Sequence, residues 1–203
     1  PPNSPRLPNQ RWQIYSPPPK QAEQFAAESG LSSLLAQVLI NRGIDSVEEV
    51  QGFIEPESLV LPAPMDEFPD LAASVKLLRE AISGGQKIAI CGDYDADGMT
   101  STALLLRALR RLGAKVDYAI PSRMREGYGI NDRIVEEFHS EGVALILTVD
   151  NGIAAYGPVA RARELGVKVI ITDHHDLPPK LPPADAILNP KLIAESSPYR
   201  GLA

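Results

Sequence analysis

From Asp70 onward, short β-prone runs alternate with segments of helical period, and few architectures accept that order. The runs are Lys87 to Cys91, Lys115 to Ile120, Val143 to Val149 and Val167 to Ile171, with a shorter one at Ala186 to Leu188. Between them lie helical segments at Leu71 to Ile82 and Thr100 to Leu112, one opening near Asn131, and one near Val159 to Leu165. Several of the runs are continuously apolar, so neither face of those strands can be left in water. The pattern predicts an α/β domain in which a parallel sheet is flanked by helices.

The first 68 residues read differently. Pro1, Pro2, Pro5, Pro8, Pro17, Pro18 and Pro19 predict an extended arm over residues 1–20, with Trp12 and Tyr15 as its anchors. Helical periods follow at Ala22, Phe25 and Ala26, then at Leu31, Leu34, Leu35, Val38 and Leu39, then at Val47, Val50, Phe53 and Ile54. Gly30 and Gly43 break these into three short helices. Ser46 and Glu49 have the spacing of a capping box, in which each side chain satisfies the other's backbone N–H. A Pro-punctuated connection from Pro56 to Pro69 marks a boundary. The expected organisation is a Pro-rich arm and small helical module over residues 1–68, then the α/β domain over residues 69–203.

Composition narrows the function. With 44% hydrophobic and 23% charged residues, the chain can bury real cores. No apolar run approaches the roughly 18 residues of a membrane span, and no basic-then-apolar leader opens the sequence, so a membrane or exported location is not expected. Cys91 is the single cysteine, which precludes an internal disulfide and agrees with a cytoplasmic location. A net charge of −6 argues against a broad basic face for duplex DNA. It is compatible with a nucleic-acid enzyme whose carboxylates bind cations.

Polar clusters follow three of the predicted strands: Asp93, Asp95 and Asp97, then Asp150 with Asn151, then Asp173, His174 and His175. In a parallel sheet the carboxyl ends of strands share one edge, where ligands bind, so residues distant in sequence converge there. Taken singly, each cluster is an ordinary solvated turn or helix cap. Together they concentrate carboxylates that are costly to bury unpaired, and a cation resolves that cost. Carboxylates with one or two imidazoles suit Mn²⁺ or Mg²⁺, and several carboxylates allow two ions about 3.5–4 Å apart. Phosphoester hydrolysis is the matching reaction. Gly98 and Gly152 are expected to let the backbone turn tightly beside the site, and the helix opening near Thr100 to direct free N–H groups at an anion. Arg107, Arg110 and Arg111 close that helix and should lie opposite the site.

These residues resemble the motifs of the DHH phosphoesterases. The run Gly92-Asp93-Tyr94-Asp95-Ala96-Asp97-Gly98 resembles the first motif, Thr148-Val149-Asp150-Asn151-Gly152 the aspartate motif, and Asp173-His174-His175 the motif that names the family. Pro121-Ser122-Arg123-Met124-Arg125-Glu126-Gly127-Tyr128-Gly129 and the helical lead with Asn41-Arg42-Gly43-Ile44 look like the RecJ branch. The resemblance covers nearly the whole chain. It implies two Mn²⁺ or Mg²⁺ ions held by Asp93, Asp95, Asp97, Asp150 and His174, with Asp150 as the bridge. It also implies that His175 faces the scissile phosphate and that Asp173 orients the imidazoles. The implied substrate is single-stranded DNA entered from its 5′ end in repair or recombination, supplied by a helicase or single-strand-binding protein. Ser122, Arg123, Arg125, Tyr128 and Asn151 are the expected substrate contacts.

Two departures qualify the resemblance. Cys91 stands where other branches carry a metal-binding histidine. The sequence stops at Gly201-Leu202-Ala203, before the family's last metal-binding aspartate, its associated domain and the OB fold, so this stretch is expected to be an amino-terminal part with incomplete activity alone. Two rivals remain at this stage: a DHH phosphodiesterase of small nucleotides or oligonucleotides, and a non-catalytic replication scaffold of the same fold.

Overall fold

A computed structural model describes residues 19–121 and 128–202. Its packing divides the chain into two units, Pro1–Leu61 and Pro62–Ala203. In the first unit, α1 (Pro19–Ser29), α2 (Ser33–Asn41) and α3 (Val47–Ile54) bury Phe25, Ala26, Ala36, Leu39 and Val50. Pro19 opens α1 instead of ending the expected arm, since a helix's first turn needs no N–H there. Most of that arm lies outside the described residues. Three short helices offer one inward stripe each, so Leu34 and Val38 stay exposed although they share the apolar period. Ser46 caps α3 by accepting from Glu49 N at 3.2 Å. Glu49 reaches back to Asp45 N at 3.3 Å, one residue earlier than the capping-box spacing predicts.

The second unit opens with the short α4 (Pro64–Glu67) and continues with α5 (Leu71–Ser83), β1 (Lys87–Cys91), α6 (Ala96–Arg111) and β2 (Lys115–Ala119). After the undescribed residues 122–127 come α7 (Asp132–Ser140), β3 (Val143–Val149), α8 (Tyr156–Glu164), β4 (Lys168–Thr172) and β5 (Ala186–Leu188). The strands form one sheet in the order β2-β1-β3-β4-β5, and every neighbouring pair is parallel. Alternate residues of each strand enter opposite cores. Ala89, Ile146 and Val169 pack with Val135, Phe138 and Val159 of α7 and α8. Ile88, Ile90, Leu145, Leu147 and Ile170 pack with Leu77, Ala81, Leu105 and Leu109 of α5 and α6. Helices therefore cover both faces, as continuously apolar strands require.

Several boundaries differ from the periodicity, each for a local reason. Helix α6 begins at Ala96, four residues before the expected Thr100, because the Asp95 carboxylate accepts from Gly98 N and caps it. Helix α8 begins at Tyr156, with Pro158 inside its first turn, where proline removes no helical hydrogen bond. At the sheet's outer strand, Ile187 N donates to the Asp70 carboxylate at 2.9 Å, which ties β5 to the start of α5.

Topology locates the site. Chain connections leave β1 toward β2 on one side, whereas β3 lies on the other, so the loops part between β1 and β3 and leave a crevice. Register aligns the strand ends there: Cys91 pairs with Thr148, and Val149 with Thr172. Chain positions 93, 150 and 173 thus leave the sheet along one rim.

Candidate metal centre

Beyond β1, Asp93 is 1% exposed and packs against Gly98 in the first turn of α6. A Cβ at position 98 would fall 2.7 Å from Asp93 Cβ, so glycine is needed for this close approach and not for a turn. Asp95 is the cap of α6 and Asp97 lies in its first turn. Of the α6 N–H groups expected to be free for an anion, Gly98 N is taken by the Asp95 carboxylate.

Beyond β3, Asp150 has φ 60°, the only described non-glycine residue in the left-handed region. Its backbone is held at both ends: Asp150 N donates to Thr172 O at 3.0 Å, and its carbonyl accepts from the Tyr128 hydroxyl at 2.7 Å. Gly152 follows at φ 110°, where a Cβ would also meet Thr148 Oγ1 at 2.7 Å. Beyond β4, buried Asp173 accepts from Ile153 N, His174 N, His175 N and His175 Nδ1 at 2.7–3.1 Å.

Across the crevice, His174 Nε2 lies 2.7 Å from Asp150 Oδ1 and 4.0 Å from Asp97 Oδ2. Ligand-type atoms of Asp93, Asp95 and Asp150 lie within 4.8 Å of one another, and so do those of Asp150, His174 and His175. Asp150 belongs to both groups. Asp97 stands at the edge with its side chain 60% exposed, beside an open cleft of about 170 Å³ that Ser101 and Thr172 also line. Asp93 Oδ1 is buried without a hydrogen-bond partner. An uncompensated buried carboxylate oxygen beside other carboxylates is the feature a cation satisfies, and this donor set of oxygens and imidazole nitrogens fits Mn²⁺ or Mg²⁺.

The electrostatics carry the same strain. Burial raises the Asp93 pKa, and the Asp95 and Asp97 charges add to that rise. Burial likewise raises Asp150, with Asp97 and Asp95 reinforcing it and the His174 hydrogen bond opposing it. Burial disfavours a charged His175, but its hydrogen bond to Asp173 and the Asp173 and Asp150 charges outweigh that, so its pKa is raised. Cys91 is buried beside Asp93 and its thiol is pushed up to about 12, so it stays a neutral core group.

A raised carboxyl pKa gives stability that is full below the unfolded value of 3.8 and is lost as pH rises through the folded value. Metal-free Asp93→Asn protein should therefore melt higher than wild type at pH 7, and the gain should disappear near pH 3.8. Thermal melts in chelator at the two pH values check this. An unchanged or lowered melting temperature at pH 7 would contradict it.

The structure places the other sequence-derived candidates as follows. Asn151, expected as a substrate contact, is placed by the structure as a buried latch. It is 0% exposed, its Oδ1 accepts from Ile130 N, and its Nδ2 donates to the carbonyls of Cys91 and Val149. Tyr128 has its hydroxyl on the Asp150 carbonyl and 3.3 Å from His175 Nε2, while its ring is half exposed. Ser122, Arg123 and Arg125 lie outside the described residues. Two participants were missed. Ser101 lies four residues after Asp97 on the same helical face, a spacing that could have found it. Buried Asn189 donates to the His175 carbonyl at 3.1 Å, and its only signal was the Asn-Pro turn after β5.

A parallel α/β domain thus brings two groups of candidate metal ligands, acidic and histidine, together at a strand-order reversal. The chain matches the N-terminal domain of the DHH family over residues 87–199, and it belongs to that family. The single-stranded-DNA-specific exonuclease RecJ of Bacillus subtilis is 39% identical over 193 residues, which are 95% of this chain and 24% of that protein. RecJ of Escherichia coli is 40% identical over 174 residues, 85% of this chain and 29% of that protein. A crystal structure of RecJ from Thermus thermophilus in complex with Mn²⁺ superposes with a TM-score of 0.65 at 32% identity, covering 90% of this chain and 25% of that one. The chain thus spans about a quarter of the length of the relatives it matches. Among the described residues no helix is long and apolar enough to cross a membrane.

Proposed function

We propose that this chain carries the metal-binding domain of a hydrolase that removes nucleotides from the 5′ end of single-stranded DNA, using two Mn²⁺ or Mg²⁺ ions. The observation that supports it is the pair of ligand groups sharing Asp150. Similarity to single-stranded-DNA-specific exonucleases supplies the substrate. Asp93, Asp95, Asp97, Asp150 and His174 hold the ions. Bound there, two divalent cations supply positive charge to the oxygens of the phosphodiester undergoing displacement.

The chain's own groups do the rest. Asp173, immobilised by Ile153 N, fixes the His175 ring through Nδ1, so His175 stands at the rim as a charge stabiliser or proton donor for the phosphate. Tyr128 holds Asp150 in its left-handed conformation and borders His175. Ser122, Arg123 and Arg125 are assigned to strand binding from the sequence motif alone. A cytoplasmic location and a helicase or single-strand-binding protein that delivers the substrate belong to the same proposal.

The test compares 5′-labelled long single strands, the matching duplex and dinucleotides as substrates of the full-length protein. Single strands should be degraded in Mn²⁺ and not in chelator, with the duplex resistant. Faster turnover of dinucleotides than of strands, or absence of Mn²⁺ binding by calorimetry, would overturn the proposal.

A further inference from the structure

Among the described residues three buried side-chain oxygens have no hydrogen-bond partner: Asp93 Oδ1, Thr102 Oγ1 and Thr148 Oγ1. All three stand on elements that border the crevice. Asp93 lies just beyond β1, Thr102 in the second turn of α6, and Thr148 next to last in β3. A cation accounts for the Asp93 oxygen and leaves the Thr102 hydroxyl unexplained. Thr102 is 3% exposed, on a helix that otherwise packs through Leu105, Leu106 and Leu109, and a buried hydroxyl with nothing to donate to is unfavourable there. It makes no bond to the carbonyl one turn back, the usual partner of a helical threonine, whereas Thr100 bonds its own, Ala96 O, at 2.7 Å.

The surroundings of the hydroxyl identify an acceptor. A Cβ at Gly92 would fall 2.1 Å from Thr102 Oγ1, so the hydroxyl rests directly on the residue before Asp93. A Cβ at Gly98 would fall 2.7 Å from Asp93 Cβ, and Gly98 lies four residues before Thr102 on the same helical face. Helical side chains lean toward the N-terminus, which tilts Thr102 toward Gly98 and the Asp93 side chain packed on it. Two glycines thus remove the side chains that would otherwise stand between the hydroxyl and Asp93. Thr148 Oγ1 instead meets Gly152, beyond β3.

We infer that Thr102 is a positioning residue for the metal centre, its hydroxyl donating to the Asp93 carboxylate in the cation-loaded protein, an inference that rests on the metal-binding reading above. A carboxylate has about four lone-pair sites, so Asp93 can take a cation and a hydroxyl hydrogen together. The hydrogen bond sets the angle at which the carboxylate meets the ion, as the outer partners of metal ligands do.

Mn²⁺ calorimetry and thermal melts in chelator, on full-length wild type, Thr102→Val and Thr102→Ser, test it. Thr102→Val keeps the shape of the side chain and removes the hydroxyl, so Mn²⁺ affinity should fall about tenfold, the lower end of what such outer partners contribute. The metal-free Thr102→Val protein should melt at or above wild type, because the group removed has no partner there. Thr102→Ser keeps the hydroxyl and should bind Mn²⁺ as wild type does, even where the lost methyl lowers its melting temperature. Undiminished Mn²⁺ affinity in Thr102→Val, a Thr102→Ser protein as weak as Thr102→Val, or a metal-free Thr102→Val protein that melts below wild type overturns the assignment. Mn²⁺ binding by wild type separates the two levels: if it binds and the variants do not differ from it, only the role of Thr102 falls, and if it does not bind, the metal-binding reading falls as well.

Discussion

Asp150→Asn should lower Mn²⁺-dependent hydrolysis by the full-length protein about a thousandfold or more, while the metal-free variant melts no lower than wild type. The loss follows because Asp150 alone belongs to both ligand groups, and two-ion charge stabilisation is worth several kcal/mol, with each 1.36 kcal/mol about tenfold in rate. Retained stability follows from three local facts. Asparagine tolerates the left-handed backbone at φ 60°, where alanine would add a strain of roughly 1–2 kcal/mol. Its carboxamide can still meet His174 Nε2. Removing the charge also relieves the repulsion from Asp95 and Asp97. Activity, Mn²⁺ calorimetry and melts in chelator would be measured together. Activity within tenfold of wild type, or an undiminished Mn²⁺ affinity, would refute the shared-ligand role.

The second large effect is on stability. Asn151→Ala removes a carboxamide that serves Ile130 N and the carbonyls of Cys91 and Val149 inside the protein. Each buried group left unsatisfied costs about 1–3 kcal/mol, so a loss of about 3 kcal/mol or more is expected. For a domain this size that lowers Tm by roughly 6–12 °C. Asn151→Asp should be worse at neutral pH, because a carboxylate oxygen would then face two carbonyl oxygens in place of the amide donor. A variant with normal Tm and only a raised KM for DNA would restore Asn151 as a substrate contact and disprove the latch.

Sequence patterning reveals much of this arrangement because β1, β3 and β4 are buried on both faces. Lys87 to Cys91, Val143 to Val149 and Ala186 to Leu188 coincide with β1, β3 and β5, since apolar continuity leaves them no alternative partner. Acidic residues just after such strands were legible for the same reason: strand direction alone puts them on one rim. What stayed illegible depends on where a polar side chain spends its hydrogen bonds. Asn151 and Asp150 are neighbours of similar size, yet one faces inward to three backbone groups and the other faces the crevice. Asp95 had a cap's spacing and a ligand's chemistry at once, and only its contact with Gly98 N moved the start of α6. Tyr128 and Asn189 act on Asp150 and His175 through hydrogen bonds to their main-chain oxygens, and no residue pattern encodes a partner 22 or 14 positions away.

The in-register alignment of Cys91 with Thr148, and of Val149 with Thr172, limits where this protein tolerates insertions. One residue added within β1, β3 or β4 would advance the following aspartate by about 3.3 Å and swap which helix layer each downstream strand residue faces. Between β4 and β5 the stretch 177–181 is largely exposed, whereas Asp185 is hydrogen-bonded to Val169 of β4, so length variation belongs in 177–181 and not in the strands that carry the acidic rim.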